Sequence, residues 1–330
     1  MAKIKEISIA FIKFKIILES EIRLFWHVLS AIEYSNRYLE GVSPQPSVLS
    51  RNPGDDRNPF RSVNLSPAAF VDNSDFVRRC MRENSIVSIV TTFERFLFDQ
   101  LERIIYVSPD KLDDSEMGFM AKELVSIPKG MTLNRWLAAR VSDKQLRNNT
   151  HKEMIAKIGR FASFSLGQKK GKATAPLSKP EALLEAWHKW TLVRNSIVHT
   201  ARSVTSDLSL GWPERFPSAG AALSLADEDV VSVHKTALFL AEYIDGFVTK
   251  NIIKEKDAVL LVQELFMHKG ISDPRKIREF LSHTVHVPRT FQQIEGIISK
   301  QRKELADNGW SVSFAELVAL IKYSEVPGLG

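Results

Sequence analysis

The chain has 330 residues, of which 44% are hydrophobic and 25% are charged, a composition typical of a soluble globular protein. Its single cysteine, Cys80, excludes an intramolecular disulfide and any metal site built from several cysteines, and it suits a reducing cytoplasm. No run of 18 apolar residues occurs, so we expect no membrane-spanning helix and a soluble, cytoplasmic protein. The formal charge of +6 slightly favours polyanionic partners.

The N-terminal part of the chain predicts one helix followed by an irregular linker. Apolar residues recur at spacings of three and four over residues 17–40, and Gly41 ends this pattern. The next stretch is rich in Pro, Ser, Asn and Asp and contains "RNPGDDRNP" at 51–59, which indicates a long connection without regular structure. We place a domain boundary near residue 74, so that 1–74 forms the first segment.

The central part of the chain predicts long helices with a helical insert. One helix is capped by Ser74 or Asp75 and continues through "SIVSIVTTFERFLFDQLERIIY". Shorter helical patterns at 111–166 predict an inserted segment, and a basic loop then leads into a helix from Pro180 to Val204. Another helix covers 228–252. Because strand-like alternation is scarce, we predict an all-α fold, with a helical domain over 75–250 and a small C-terminal helical domain over 251–330.

Three other patterns are weak evidence for a functional site. "GQKKGKAT" is similar to a phosphate-binding loop, but only three residues separate its glycines and Ala173 follows the lysine, so we do not expect an NTPase. The histidines of "HTVH" at 283–286 have no nearby carboxylate or cysteine to complete a metal site. We interpret Cys80 as a partly buried thiol rather than a nucleophile.

The stretch "TLVRNSIVHT" at 191–200 carries a more specific pattern. Asn195 and His199 are four residues apart and share a polar ridge of the predicted helix, on which Arg202 also lies. Arg194 falls at the edge of the apolar side and needs a partner if it is covered. Glu94 stands in an apolar line of the earlier long helix, and it could form a bidentate pair with Arg194 if the two helices pack antiparallel. Alternatively, the helix is rotated so that Glu94 is exposed to solvent.

These residues resemble the signature of the HEPN superfamily, whose members are helical bundles and often metal-independent ribonucleases. Arg194, Asn195 and His199 match its Arg, polar residue, three residues and His, and Glu94 looks like the acid that many HEPN proteins carry on an early core helix. The resemblance covers roughly residues 75–250 and implies an HEPN-like bundle. A second Arg and His five apart, Arg278 and His283, places Glu279 after the arginine and is interpreted as chance.

The side chains suit RNA cleavage by attack of a 2'-hydroxyl on the adjacent phosphorus. His199 has a side chain able to move protons near neutral pH, Arg194 suits the phosphate oxygens, and Asn195 can orient the imidazole. One histidine does not easily serve both proton transfers, so we expect a homodimer, as the HEPN resemblance also implies. No cofactor and no metal are expected. DNA, which lacks the 2'-hydroxyl, should be spared.

The sequence leaves several alternatives open. Glu94 and Arg194 could form an ion pair without catalytic role, and His199 could be an ordinary solvent-facing histidine. A catalytically inactive HEPN-like module that binds RNA or nucleotide, or acts as a scaffold, is the main alternative function. A third is DNA binding by the C-terminal helices through "SKQRKELADNGWS".

Phosphate contacts and biological role are further expectations. Lys169, Lys170, Lys172 and Arg202 are candidate RNA-binding residues, although basic groups more often belong to solvated faces. The HEPN resemblance suggests a bacterial toxin or an antiviral defence nuclease, acting on RNA and held by an inhibitor or antitoxin protein.

Overall fold

A computed structural model describes the chain over residues 7–43, 46–51, 60, 62–112, 133–166, 179–253, 256, 259, 262, 273–283 and 289–307. Over these ranges the chain forms helices and no β-sheet, which confirms the predicted all-α class; an isolated β-bridge joins Ser203 and Ala222. The α-helices are α1 (Ile9–Gly41), α2 (Pro67–Asp72), α3 (Ser74–Val107), α4 (Leu133–Leu146), α5 (His151–Ala162), α6 (Lys179–His199), α7 (Ser206–Gly211), α8 (Asp227–Val248), α9 (Pro274–His283) and α10 (Phe291–Asp307).

The chain divides into two compact units that are discontinuous in sequence, whereas the sequence pattern suggests three consecutive segments. Unit 1 contains Met1–Ile17, Thr92–His188 and Ala237–Gly330, and unit 2 contains Leu18–Thr91 and Lys189–Thr236. Each of the long helices α1, α3, α6 and α8 contributes one part to each unit. The helices α1 and α6 pass from unit 1 into unit 2, and α3 and α8 pass in the opposite direction along the chain.

Unit 1 has an aromatic core. Phe11 and Phe14 of α1 and Phe93 and Phe96 of α3 are each three residues apart, so each pair lies on one helical face. The Phe14 and Phe96 ring centroids are 4.9 Å apart, and Phe93 lies 4.3 Å from the ring of Trp187 on α6. Offset and edge contacts of this kind add to the free energy gained by burying the rings.

A buried polar network joins the start of α1 to two other helices in unit 1. The Asp245 carboxylate of α8 accepts hydrogen bonds from the Ser8 hydroxyl and, at 2.7 Å, from the Gln100 side chain of α3. All three side chains are at most 2% exposed. Polar groups buried to this degree need partners, so the network fixes these helix ends relative to one another.

Charged side chains in the first half of α3 bind other elements of unit 2. Arg78 donates to Glu33 of α1 at 2.7 Å, and Arg82 donates to Asp227 at the start of α8 at 2.6 Å. The hydrogen bond from Arg78, helped by Arg37, lowers the pKa of the Glu33 carboxyl. The adjacent Glu83 accepts a hydrogen bond from Arg202, described below. One helix thus anchors α1, α8 and the turn after α6 by charged contacts.

The helix boundaries agree with the sequence patterns at some ends and differ at others. The prediction that Gly41 ends α1 is confirmed, but α1 begins eight residues earlier than predicted, at Ile9 rather than residue 17. Its first turns are apolar on several sides because they belong to the core of unit 1, which hides the amphipathic period. Ser74, predicted as a possible cap, is the first residue of α3, and its hydroxyl donates to Asn36 Oδ1 at 3.0 Å. The prediction that α6 continues to Val204 is wrong, because the helix ends at His199.

The short helix α7 has an N-cap residue of a type that is recognisable in the sequence. Thr205 is its N-cap, and its hydroxyl accepts a hydrogen bond from the Leu208 N–H at 3.1 Å. The prediction of one long helix up to Val204 obscured this start.

His234 of α8 makes the stability of unit 2 dependent on pH. Burial lowers the pKa of His234 below its usual value of 6.5; the Glu19 carboxylate opposes this shift and Lys235 adds to it. Its Nε2 atom is buried without a hydrogen-bond partner. The unfolded chain therefore binds this proton more readily, so the free energy of unfolding falls as the pH decreases below about 6.5.

We predict that His234→Leu reduces this loss of stability on acidification. Urea unfolding of wild type and variant at about pH 7.5 and about pH 5.5 measures it, since groups other than His234 contribute equally to both proteins. An equal pH dependence in the two proteins would contradict the assignment of this effect to His234.

Candidate functional site

The helix α6 ends at a point where the side chain of Thr200 contacts backbone carbonyl groups. The Thr200 hydroxyl oxygen lies 2.9 Å from the Ser196 carbonyl oxygen and 2.7 Å from the Ser203 carbonyl oxygen, and its single proton can be donated to either. Ala201 and Arg202 then adopt left-handed backbone conformations, with φ of 49° and 68°. This geometry stops the helix at His199 and turns the chain back, as left-handed residues at helix C-termini generally do. Arg202 therefore does not continue the helical ridge, contrary to the prediction.

Packing inside unit 2 fixes the orientation of this helix end. The Ser196 side chain is fully buried, and its hydroxyl lies 3.3 Å from that of Thr205, the residue that caps α7. The ring of Trp190 meets Trp212 edge to face, with centroids 5.1 Å apart. A Cβ at Gly211 would lie 2.7 Å from a methyl carbon of Leu192, so α7 packs closely against α6 at this point.

Arg194 and Asn195 are brought together by a hydrogen bond. Arg194 Nη1 donates to Asn195 Oδ1 at 3.1 Å, and Asn195 is exposed. Arg194 is only partly exposed, and its Nε atom is buried without a hydrogen-bond partner, in line with its predicted place beside the apolar side. On an ideal helix Arg194 and His199 point about 140° apart. The hydrogen bond draws the guanidinium toward the ridge of Asn195 and His199.

His199 is the last residue of α6 and is exposed to solvent. It follows Asn195 by four residues, which is about 6 Å along the helix axis. The Asn195 oxygen accepts a hydrogen bond from Arg194, and the expected orientation of the imidazole by Asn195 stays a prediction. The arrangement presents an amide, a guanidinium and an imidazole along one accessible strip of the helix end.

Glu94 lies beside a histidine of α5. Its side chain is 40% exposed, which fits the solvent-exposed alternative better than the buried one. Its carboxylate Oε2 lies 3.6 Å from Nε2 of His151 in α5. The proposed pairing of Glu94 with Arg194 would join residues of unit 1 and unit 2, and it stays a prediction.

His151 is held by the aromatic core of unit 1. Its Nδ1 atom accepts a hydrogen bond from the indole N–H of Trp187 at 3.0 Å, and its ring stacks on Trp187 and Phe93. An indole N–H can donate only to an unprotonated nitrogen, so the ring proton is on Nε2, the atom that faces Glu94. Glu94 therefore lies near the Nε2 edge of a structural histidine, at a distance longer than an ordinary hydrogen bond.

The N-terminus of α5 positions His151 at its first turn. Thr150 and Glu153 form a capping box, in which the Thr150 N–H donates to Glu153 Oε2 at 2.8 Å. That backbone hydrogen bond, with one from the Thr150 hydroxyl, lowers the pKa of the Glu153 carboxyl. The cap was present in the sequence as "THKE", within a segment predicted only as a short helical pattern.

The remaining predicted site residues lie in different parts of the chain. Lys169, Lys170 and Lys172 lie outside the described residues, as does His286. Arg202 is half exposed, and its Nε donates to Glu83 Oε2 at 2.6 Å. His283 ends α9, while Arg302 and Lys303 are exposed on α10. In the described part of the chain, no group of three or more His, Cys, Asp or Glu side chains is arranged to hold a metal ion.

Comparison of the chain with protein-family models, with curated proteins and with solved structures finds no match. Of the helices described, none has the length and hydropathy required to cross a bilayer.

Sequence reasoning missed Glu83, which is only 2% exposed. A signal was available, because Glu83 is in helical register with Ile86, Val90, Phe93 and Leu97, all of them buried in α3. An acid on that stripe must be buried and paired.

The Glu94 contact predicts an unequal response to two substitutions. Glu94→Ala should change the free energy of unfolding by less than about 1 kcal/mol, because the carboxylate is partly solvated. Trp187→Phe should cost about 1 to 3 kcal/mol, since it leaves a buried imidazole nitrogen without its donor.

Denaturant unfolding of both variants measures this difference. A loss of about 3 to 5 kcal/mol in Glu94→Ala would show instead that Glu94 neutralises a buried cation. If Glu94→Ala lowers RNA cleavage while stability is kept, Glu94 belongs to the catalytic groups as the HEPN resemblance implies.

Proposed function

We propose that this chain is a metal-independent endoribonuclease that cleaves RNA by attack of the 2'-hydroxyl on the neighbouring phosphorus. The observation that carries the proposal is the hydrogen bond from Arg194 to Asn195, which turns a guanidinium toward the exposed ridge that ends in His199. A purely structural arginine would gain more from a carboxylate than from the exposed amide beside it. The HEPN resemblance of these three residues supports the same reaction.

Each group has a chemical task in this reaction. A base takes the proton of the 2'-hydroxyl, whose oxygen forms a bond to phosphorus while the bond to the 5'-oxygen breaks and that oxygen receives a proton. His199 exchanges these protons, because imidazole can act as acid or base near neutral pH. The Arg194 guanidinium stabilises the charge that develops on the phosphate oxygens, and the Asn195 amide keeps the guanidinium in place and offers its own N–H groups to phosphate.

Two proton transfers favour a second copy of the chain. Each chain supplies one histidine at this helix end, so a homodimer that joins two α6 ends provides a base and an acid. Exposed apolar side chains of unit 2 support this: Val198, beside His199, is 48% exposed, and Leu210 of α7 is 82% exposed. Exposed apolar side chains at a functional site often mark an interface.

The biological role follows only from the resemblance. An unrestrained ribonuclease harms its own cell, so we propose a toxin or an antiviral defence effector that an inhibitor protein restrains.

The first test of this proposal is cleavage of single-stranded RNA by the full chain in excess chelator. We expect cleavage, and we expect His199→Ala and Arg194→Ala each to lower the rate by about a hundredfold or more, the scale for loss of an acid–base group. Arg37→Ala is a matched control, because it removes an exposed cation of the same unit that lies on α1 and is paired with Glu33.

Three results of this assay would contradict the proposal. One is a strict requirement for added divalent metal, and another is full activity in either site variant. The third is RNA binding without cleavage by the wild type, which would identify an inactive RNA-binding module. Thermal unfolding of each variant separates a lost reaction from a lost fold.

The dimer is tested by sedimentation velocity over a range of protein concentrations. We expect a dimer, and we expect Leu210→Glu or Val198→Glu to dissociate it and reduce cleavage, because a charge placed in an apolar interface remains unpaired. Leu24→Glu is the control, since Leu24 is 53% exposed on α1. A monomer that still cleaves RNA would contradict a shared site.

A further inference from the structure

The buried carboxylate of Glu83 is bound by one nitrogen of a single arginine. Glu83 of α3 is 2% exposed, and Arg202 Nε donates to its Oε2 at 2.6 Å. The other oxygen, Oε1, is buried and has no hydrogen-bond partner. An arginine that only neutralised this acid would be expected to use two nitrogens in a fork, because bidentate pairing satisfies both oxygens.

The guanidinium of Arg202 keeps its other nitrogens available. The Arg202 side chain is 49% exposed, although it contacts a carboxylate that is almost fully covered. A guanidinium has five N–H donors, of which this contact uses one. Its two η nitrogens are therefore the part of the side chain that can bind an anion.

The backbone is strained where Arg202 is placed. Ala201 and Arg202 both have left-handed φ values, 49° and 68°, which non-glycine residues adopt only at a free-energy cost. Surrounding hydrogen bonds hold this conformation, among them the one from the Leu223 N–H to the Arg202 carbonyl at 2.8 Å. This backbone conformation holds Arg202, which follows His199 by three residues, in a fixed orientation.

We propose that Arg202 binds a phosphate of the RNA substrate next to the phosphate that is cleaved, and that buried Glu83 is the positioning residue that holds it. This inference rests on the proposed ribonuclease function, in which Arg194 serves the phosphate that reacts. Glu83 fixes the Nε edge of the guanidinium and so directs the η edge outward. An oriented guanidinium binds a phosphate oxygen pair with less loss of side-chain freedom than a mobile one.

The test measures binding of a labelled single-stranded RNA to full-length protein carrying His199→Ala, at several salt concentrations. Adding Glu83→Gln with Arg202→Ala removes the pair without stranding a buried charge. We expect this protein to bind RNA roughly tenfold more weakly, the scale of one charge-assisted hydrogen bond. A plot of the logarithm of the binding constant against the logarithm of the salt concentration should have a slope that is less negative by about 0.7, the value for one phosphate contact on a single strand.

Glu83→Gln alone tests positioning. Arg202 keeps its charge, so the salt slope should stay close to that of the parent, while the affinity falls severalfold because the guanidinium is no longer fixed. In otherwise wild-type protein, the pair variant should raise KM and leave kcat nearly unchanged, as expected for a contact that does not change during the reaction. Arg37→Ala again controls for the loss of one exposed cation.

The outcomes separate the two proposals. If wild type cleaves RNA but the pair variant keeps the parent's affinity, salt slope and KM, the role of Arg202 is overturned and the ribonuclease stands. If RNA binds and the pair variant weakens it as expected, yet wild type never cleaves, the phosphate site stands and the reaction is overturned. Absence of RNA binding by the His199→Ala protein overturns both.

Discussion

The buried carboxylate of Glu83 is the constraint on which the arrangement of the candidate site depends. A charge that is 98% removed from solvent is unfavourable unless a cation meets it, and Arg202 supplies that cation from the chain that leaves α6. To reach Glu83, the chain must stop its helix at His199 and turn through two left-handed residues. The contact that neutralises Glu83 therefore accompanies the end of α6 and the turn that follows it.

The end of α6 then has the properties that an RNA site needs. Its buried side is fixed by Ser196 and Trp190, which contact Thr205 and Trp212. The opposite side presents Asn195 and His199 to solvent, and Arg194 is bent toward them. Rigid support on one side and accessible polar groups on the other allow a site to bind phosphate without a large loss of conformational entropy.

Local sequence patterns predicted the all-α class and most long helices, because hydrophobic period and capping residues are local properties. They failed where distant residues decide the structure. The pairing of Glu83 with Arg202 joins positions 119 residues apart, so this contact does not follow from neighbouring residues. Helical register could have identified Glu83 as the acid on the buried stripe. Glu94 shares its line with Val87 and Phe98, which are partly buried, and with Leu101 and Ile105, which are fully buried, so the line alone does not decide whether Glu94 is covered.

In the proposed reaction the 2'-hydroxyl of RNA is the attacking group, so the chemistry of the product ends is the decisive measurement. After incubation of the full chain with RNA in chelator, we expect a 2',3'-cyclic phosphate or 3'-phosphate on one fragment and a 5'-hydroxyl on the other. Cleavage should also stop at a position where the 2'-hydroxyl is replaced by a 2'-methoxy group. Fragments with 3'-hydroxyl and 5'-phosphate ends, or cutting at the blocked position, would show that the 2'-hydroxyl is not the attacking group.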